Sequence, residues 1–204
     1  MIGIIDYGSG NIQAIKNIYK KLKVECKFVS QPEELDGVNK IILPGVGAFD
    51  EAMSQLNKSG LREVLDLMIL DKKVPVLGVC VGMQIMALSS DEGELDGLGW
   101  FDAQVKLFDE STIKHKPKLP HMGWNEINVK REHSIFKLID KEKGFYFLHS
   151  FYFKCNDKND VLAEACYGNT FHCSINKENI FGFQFHPEKS HSNGINLFKN
   201  FAEL

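Results

Sequence analysis

The apolar positions of the first ninety residues change period several times, and each change predicts an element. Residues 1–6, MIGIID, form a short apolar run of the kind buried on both faces of a parallel sheet. Residues 11–22 then place Ile12, Ile15, Tyr19 and Leu22 on one face of a helix. Residues 25–30 and 40–43 predict two further strands. After them Phe49, Ala52, Met53 and Leu56, and then Leu61, Val64, Leu65 and Met68, recur at helical spacing, with Gly60 separating two helices. The apolar run Val74, Val76, Leu77 and Val79, rich in β-branched residues, predicts a fourth strand, and MQIMAL beyond Gly82 a following helix. The order β-α-β-β-α-β implies a mainly parallel sheet whose site lies at the carboxyl ends of its strands.

Past Ser90 the period shortens. DEGELDGLGW is a polar, glycine-punctuated loop, and residues 101–108, 125–130, 145–154, 161–167, 170–176 and 180–186 are strand-like. Only SIFKLID and the closing GINLFKNFAEL have helical spacing. Antiparallel strands are therefore expected to extend the parallel sheet into a mixed one. No linker, repeat or low-complexity stretch interrupts the chain, so one domain over residues 1–204 is expected.

Composition narrows the function. The chain has 204 residues, 44% hydrophobic and 25% charged, with a formal charge of -3, which gives no electrostatic footprint for nucleic acid. There is no basic leader or long apolar run, so no membrane association and a cytoplasmic location are expected. Five cysteines without C-x-x-C spacing argue against a disulfide framework or a structural zinc. No metal or cofactor is expected. The Gly8-Ser9-Gly10 turn lacks the third glycine of a dinucleotide fingerprint, because position 13 is Gln13.

Candidate chemistry begins at VPVLGVCVGMQIM, residues 74–86, where Cys80 stands at the predicted strand-to-helix turn between Gly78 and Gly82. Small residues two positions either side suit a nucleophile elbow, a tight turn that lifts its central side chain clear of the sheet. A helix starting just after the cysteine would aim N–H groups and a positive dipole end at the sulfur and offer an oxyanion site. The alternative is a cysteine serving as a small buried hydrophobe. Pro44-Gly45-Val46-Gly47 follows the third strand, and its glycines leave the peptides free to turn toward a ligand or merely to make a tight turn. His121-Met122-Gly123-Trp124-Asn125 is expected in an exposed loop, either as a partner surface or tucked onto the core by Trp124.

In FGFQFHPEKS, residues 181–190, Pro187 keeps His186 extended, so His186 and Glu188 project to the same side. Phe183 and Phe185 should face the core, and Gln184 and His186 the site. A carboxylate beside an imidazole fixes its tautomer and supports its protonated form. A lone His-x-Glu is usually a solvated pair. Joined to a cysteine elbow and a glycine loop in one α/β chain, it reads as the base and orienter of a Cys80-His186-Glu188 triad.

PGVGAF, GVCVGMQ and FGFQFHPEKS together resemble the class I, triad-type glutamine amidotransferases, and DYGSGN, KLPHMGWN and YFLHSFYF resemble in particular their glutaminase subunits of imidazole glycerol phosphate synthase. The resemblance covers essentially the whole chain. It implies a three-layer, flavodoxin-like α/β fold with a mainly parallel, mixed sheet, and hydrolysis of L-glutamine with transfer of ammonia to a (β/α)8 cyclase subunit in a heterodimer. It further implies Cys80 as nucleophile, His186 as proton shuttle and Glu188 as its orienter. Gly45, Val46, Gly47 and the Val81 amide correspond to the oxyanion hole, and Gln84, Glu92, His149, Ser150 and Phe151 to glutamine-binding positions. Asn11, His121, Met122, Trp124 and Tyr146 fall in segments that face the cyclase. Val81 stands where the family commonly has leucine, which leaves the amide in place. HPEKSH and FYFLHSFYF also resemble paralogues that supply ammonia to a sugar-modifying synthetase, and a free-standing γ-glutamyl hydrolase is a further alternative.

Overall fold

The computed structural model describes residues 1–140 and 142–204. Strands β1 (Ile2–Ile5), β2 (Cys26–Val29), β3 (Lys40–Gly45) and β4 (Val76–Cys80) are joined by helices α1 (Ile12–Lys21), α2 (Phe49–Lys58) and α3 (Arg62–Asp66). They pair in parallel in the order β2-β1-β3-β4. The chain moves one way across the sheet from β1 to β2 and the other way from β3 to β4. Right-handed crossovers therefore put α1 and the α2–α3 pair on opposite faces, and a crevice opens at the carboxyl ends of β1 and β3. On the α1 face, Tyr19 meets Phe198 of the closing helix edge-on at 5.5 Å between ring centroids.

After β4 come α4 (Val81–Gln84), β5 (Ser89–Ser90), β6 (Ala103–Leu107), β7 (His121–Asn125), β8 (Asn128–Val129), β9 (Phe145–His149), β10 (Phe151–Cys155), β11 (Val161–Tyr167), β12 (Asn169–Lys177), β13 (Ile180–Phe183) and α5 (His191–Glu203). The last strand, β13, returns beside β4 in parallel, with Phe183 opposite Val79. From there β12, β10 and β6 carry the sheet on antiparallel, β5 joins at its far edge, and β11 and β8 pair alongside β12. The result is the expected mixed, mainly parallel α/β sheet with flanking helices. No helix of the described residues is long and apolar enough to cross a membrane.

Several local expectations are corrected. The helix expected at MQIMAL is a single turn, α4, that starts at Val81. The carbonyls of Ile85, Met86, Ala87 and Leu88 are taken by the N–H groups of Leu98, Phe101, Gly99 and Gly97, so the returning loop replaces the helical ladder. SIFKLID forms only one 3₁₀ turn, Ser134–Phe136. The strand expected over residues 145–154 breaks at Ser150: β9 leaves the main sheet to pair with β7, while β10 stays in it beside β6. His121 to Asn125 is accordingly a strand and not an exposed loop, because its backbone is paired throughout with β9. The strand expected over residues 125–130 shrinks to β8.

Candidate active site

Cys80 ends β4 with φ +55° and ψ -112°, a backbone conformation that non-glycine residues rarely hold and that marks a sharp elbow. The flanking glycines make the turn possible. A Cβ on Gly78 would lie 2.7 Å from the Gly82 carbonyl oxygen, and one on Gly82 would collide with the Leu43 carbonyl oxygen. The elbow is thus wedged against β3, with Gly45 paired opposite Cys80. Because α4 is one turn long, its dipole is small, and its contribution at the sulfur is confined to local N–H groups.

The adjacent strand β13 delivers the second half of the site. Its chain runs on through Gln184 and Phe185 to His186, which is extended as Pro187 requires. Phe185 stacks on Phe145 at 4.0 Å and on Phe183 at 5.1 Å, which anchors the polar residues between these rings. Glu188 stands in a 3₁₀ turn rather than in the extended segment expected, yet its Oε1 still lies 2.9 Å from His186 Nδ1. Burial opposes protonation of His186, but hydrogen bonds and charge from Cys80 and Glu188 outweigh it and raise the imidazole to about 10. The ring is therefore held protonated at neutral pH, between the carboxylate and the sulfur.

A cavity of about 290 Å³ opens over these groups and is lined by Val46, Gly47, Cys80, Val81, Gln84, Glu92, His149, Ser150, Phe151 and His186, all expected, together with Pro120, Leu148 and Lys189. Lys189 lies within FGFQFHPEKS, Pro120 within KLPHMGWN and Leu148 within YFLHSFYF, and the pairing of β7 with β9 brings the last two to the cavity. Gly45 sits one layer below, against Cys80. Glu92 accepts the Phe49 N–H at 2.9 Å and so ties its loop to the start of α2. Gln84 Nε2 donates to the Phe151 carbonyl at 3.0 Å, bracing the far wall where β9 passes into β10.

That wall is reinforced by a buried histidine pair. His149 Nδ1 lies 2.7 Å from the Phe151 carbonyl, which must accept, so Nδ1 carries the hydrogen. His149 Nε2 then accepts from His121 Nδ1 at 3.0 Å, and His121 Nε2 accepts from Asn125 Nδ2 at 3.2 Å. Burial lowers His121 to about 4, and burial followed by the charge of His121 lowers His149 to about 3, so both rings stay neutral. His121 is 3% exposed and stacked on Tyr167. Its side chain is turned into the wall, contrary to the expectation that it faces a partner. Strand alternation leaves its neighbours Met122 and Trp124 outside at 59% and 48% exposure, Trp124 stacked on His191, with Asn11 and the half-buried Tyr146 also at the surface.

The opposite wall is differently made. Val46 lies outside, 46% exposed, and its N–H donates to Ser9 Oγ at 2.9 Å while Ser9 Oγ donates back to the Val46 carbonyl at 2.8 Å. Ser9 follows β1 and Val46 follows β3, so the two meet across the crevice between those strands. The Val46 amide therefore points at Ser9, not at Cys80. In the sequence Ser9 stands out only as part of the Gly8-Ser9-Gly10 turn.

A cysteine on a strained elbow, a protonated imidazole with its carboxylate, and a cavity over them define a cysteine-nucleophile α/β enzyme. The chain matches the description glutamine amidotransferase class-I over residues 3–204. It is 52% identical, over the whole of both chains, to "Imidazole glycerol phosphate synthase subunit HisH" of Leptospira borgpetersenii, and 50% identical, again over both chains, to the HisH of Bdellovibrio bacteriovorus. Its fold is similar to a solved "glutamine amidotransferase" (TM-score 0.73, 18% identity, 100% and 99% of the two chains) and to PurLQS from Thermotoga maritima (TM-score 0.74, 16% identity, 99% and 97%). The chain belongs to the class-I glutamine amidotransferase family, and it is a glutamine-hydrolysing enzyme.

Proposed function

We propose that the chain is the glutaminase subunit of an imidazole glycerol phosphate synthase, working in the cytoplasm and passing ammonia to a (β/α)8 cyclase subunit in histidine biosynthesis. The observation that carries this reading is the convergence of Cys80, His186 and Glu188 at the ends of two adjacent strands, in a chain half identical to such subunits along its full length. Cys80 attacks the side-chain amide carbon of glutamine. His186 gives its proton to the departing nitrogen, ammonia leaves, and a γ-glutamyl thioester remains. His186, now neutral, takes a proton from water as the oxygen adds to the thioester carbon. The sulfur leaves with its electron pair and glutamate is released. Glu188 holds the ring in the tautomer both steps need.

Gln84, Glu92 and the 149–151 wall hold glutamine, and the Val81 amide with a reoriented Gly45-Val46-Gly47 segment receives the oxyanion. Met122, Trp124, Tyr146 and Asn11 form the face that meets the cyclase. A pull-down of the natural partner tests the pathway: a (β/α)8 cyclase supports it, and a sugar-modifying synthetase in its place overturns it. Steady-state glutaminase assays with and without that partner test whether the Gly45-Val46-Gly47 segment must reorient for turnover. Because the Val46 amide is held by Ser9, the chain alone should turn over glutamine slowly, and partner plus acceptor should raise kcat about a hundred- to thousandfold with a lesser change in KM, the scale of one oxyanion donor. Full activity in the chain alone would favour a free-standing hydrolase.

A further inference from the structure

Gln184 is wholly buried, one residue past the Phe183–Val79 pair, which sets it beside Cys80 across the sheet. A primary amide in such a place is costly unless its N–H and C=O groups are matched, so its orientation is under strong constraint.

That orientation follows from its neighbours. The Phe151 carbonyl can only accept, so the Gln84 atom 3.0 Å from it is Nε2. The same Nε2 lies 3.1 Å from the end of the Gln184 side chain, and a second donor there would repel it, so that end is Gln184 Oε1. The other end, Nε2, is then left facing Cys80 Sγ at 3.9 Å. Flipping Gln184 would set N–H against N–H on one side and C=O against sulfur on the other. Besides His186, a further polar neighbour of the sulfur, the Leu148 carbonyl at 3.9 Å, favours the thiol, since it can receive a hydrogen and has none to give. Gln184 opposes it.

We propose that Gln184 is a further catalytic residue, whose N–H donates to the Cys80 sulfur and is held in that direction by Gln84 and, through Gln84, by the Phe151 carbonyl. The inference rests on the reading of Cys80 as nucleophile. A donor of this kind binds the sulfur most strongly when it carries an electron pair to share, before the S–C bond forms and again when that bond breaks and the pair returns to sulfur. It binds the thioester weakly. Gln184 thus favours the reactive sulfur at the start of the cycle and eases its departure at the end. Through Gln84 it also joins the nucleophile to the substrate-binding wall. The charged or titratable groups around the sulfur are His186 and Glu188 from the end of β13, Tyr7 after β1, His149 on the far wall, and Glu92 and Lys189 at the rim.

Two variants separate this role from packing. Gln184→Glu keeps the oxygen that accepts from Gln84 and replaces the N–H at the sulfur with a second oxygen, whereas Gln184→Met removes both polar ends at nearly constant volume. The purified chain would be treated with iodoacetamide at pH 7, and the Cys80 peptide quantified by mass spectrometry against the exposed Cys166 as internal control. We expect Cys80 alkylation about ten- to a hundredfold slower in Gln184→Met, the range for a hydrogen bond to a charged group, and slower still in Gln184→Glu. With the partner present, kcat should fall in the same order while KM changes less than about threefold. A structural role predicts the reverse order, with Glu the milder change. That order, or alkylation at the wild-type rate in either folded variant, would overturn the proposal. In the ¹⁵N-labelled unmutated chain the Gln184 side-chain amide resonance should shift on alkylation of Cys80, and a fixed resonance would overturn it without any variant. If the wild-type complex failed to hydrolyse glutamine, the functional reading would fall, while the alkylation order would still decide the donor.

Discussion

The two walls of the pocket are built on opposite principles. On the far side, the Cys80 elbow and the 148–151 segment are locked by buried contacts: backbone against backbone at Gly78 and Gly82, and a continuous run of hydrogen bonds linking Gln184, Gln84, the Phe151 carbonyl, His149 and His121. On the near side, Gly45-Val46-Gly47 carries an exposed side chain and is tied back by one hydroxyl. A nucleophile and its substrate contacts gain from rigidity, because small misplacements cost rate. A donor that must serve only when a partner is ready gains from having a second setting.

The largest effect should come from breaking the rigid wall at its chemistry. Cys80→Ala or Cys80→Ser should lose glutaminase activity by at least about 10⁴-fold, on the pattern of nucleophile knockouts, with His186→Ala nearly as severe and Glu188→Gln milder. Assays with partner present would check this, and a Glu188 variant worse than the His186 variant would reverse the assigned roles.

Acid should break the same wall next. His121 and His149 have folded-state values of about 4 and about 3, below the ordinary 6.5. The unfolded chain therefore takes up their protons first as pH falls, so their stabilising contribution is complete above about 6.5 and is lost toward the folded values. Between pH 6.5 and 5 this amounts to about 2 kcal/mol per histidine. His186, raised to about 10, has the opposite sign: its contribution grows as pH falls toward 6.5 and is nearly complete below it, so between pH 6.5 and 5 it offsets only a small part of that loss. Urea unfolding at pH 6.5 and 5.0 should show the loss in the wild type and about half of it in His121→Gln.

Gly82→Ala would press a methyl into the Leu43 carbonyl and should cost about 1–3 kcal/mol, as overpacking does. Val46→Ala, at the exposed tip of the other wall, should stay within about 0.5 kcal/mol. Denaturant midpoints would compare the two. Most informative about the near wall is Ser9→Ala. Removing two hydrogen bonds of about 1 kcal/mol each should cost up to about 2 kcal/mol of stability, free the Val46 peptide and raise the isolated chain's kcat about tenfold. An unchanged kcat in that variant would show that Ser9 is not what holds the loop back.

Much of this was written in local pattern. Parallel strands buried on both faces read as apolar runs, so β1, β3 and β4 and the crevice they create were legible, as were Cys80 between its glycines and His186 with Glu188, where i and i+2 spacing and a proline settle direction within a few residues. What tertiary structure decided was everything that depends on which segment claims a backbone group or a burial site. Residues 85–88 have helical composition, yet a loop ten residues on took their carbonyls. Residues 145–154 alternate as one strand, yet they split at Ser150 because β7 offered an unpaired edge, and that pairing alone drew His121 inward to meet His149. Ser9 and Val46 are 37 residues apart, and Gln84 and Gln184 are 100 apart. A side chain's chemistry is carried in its own position, but its partner is set by the packing of strands that sequence separation does not order.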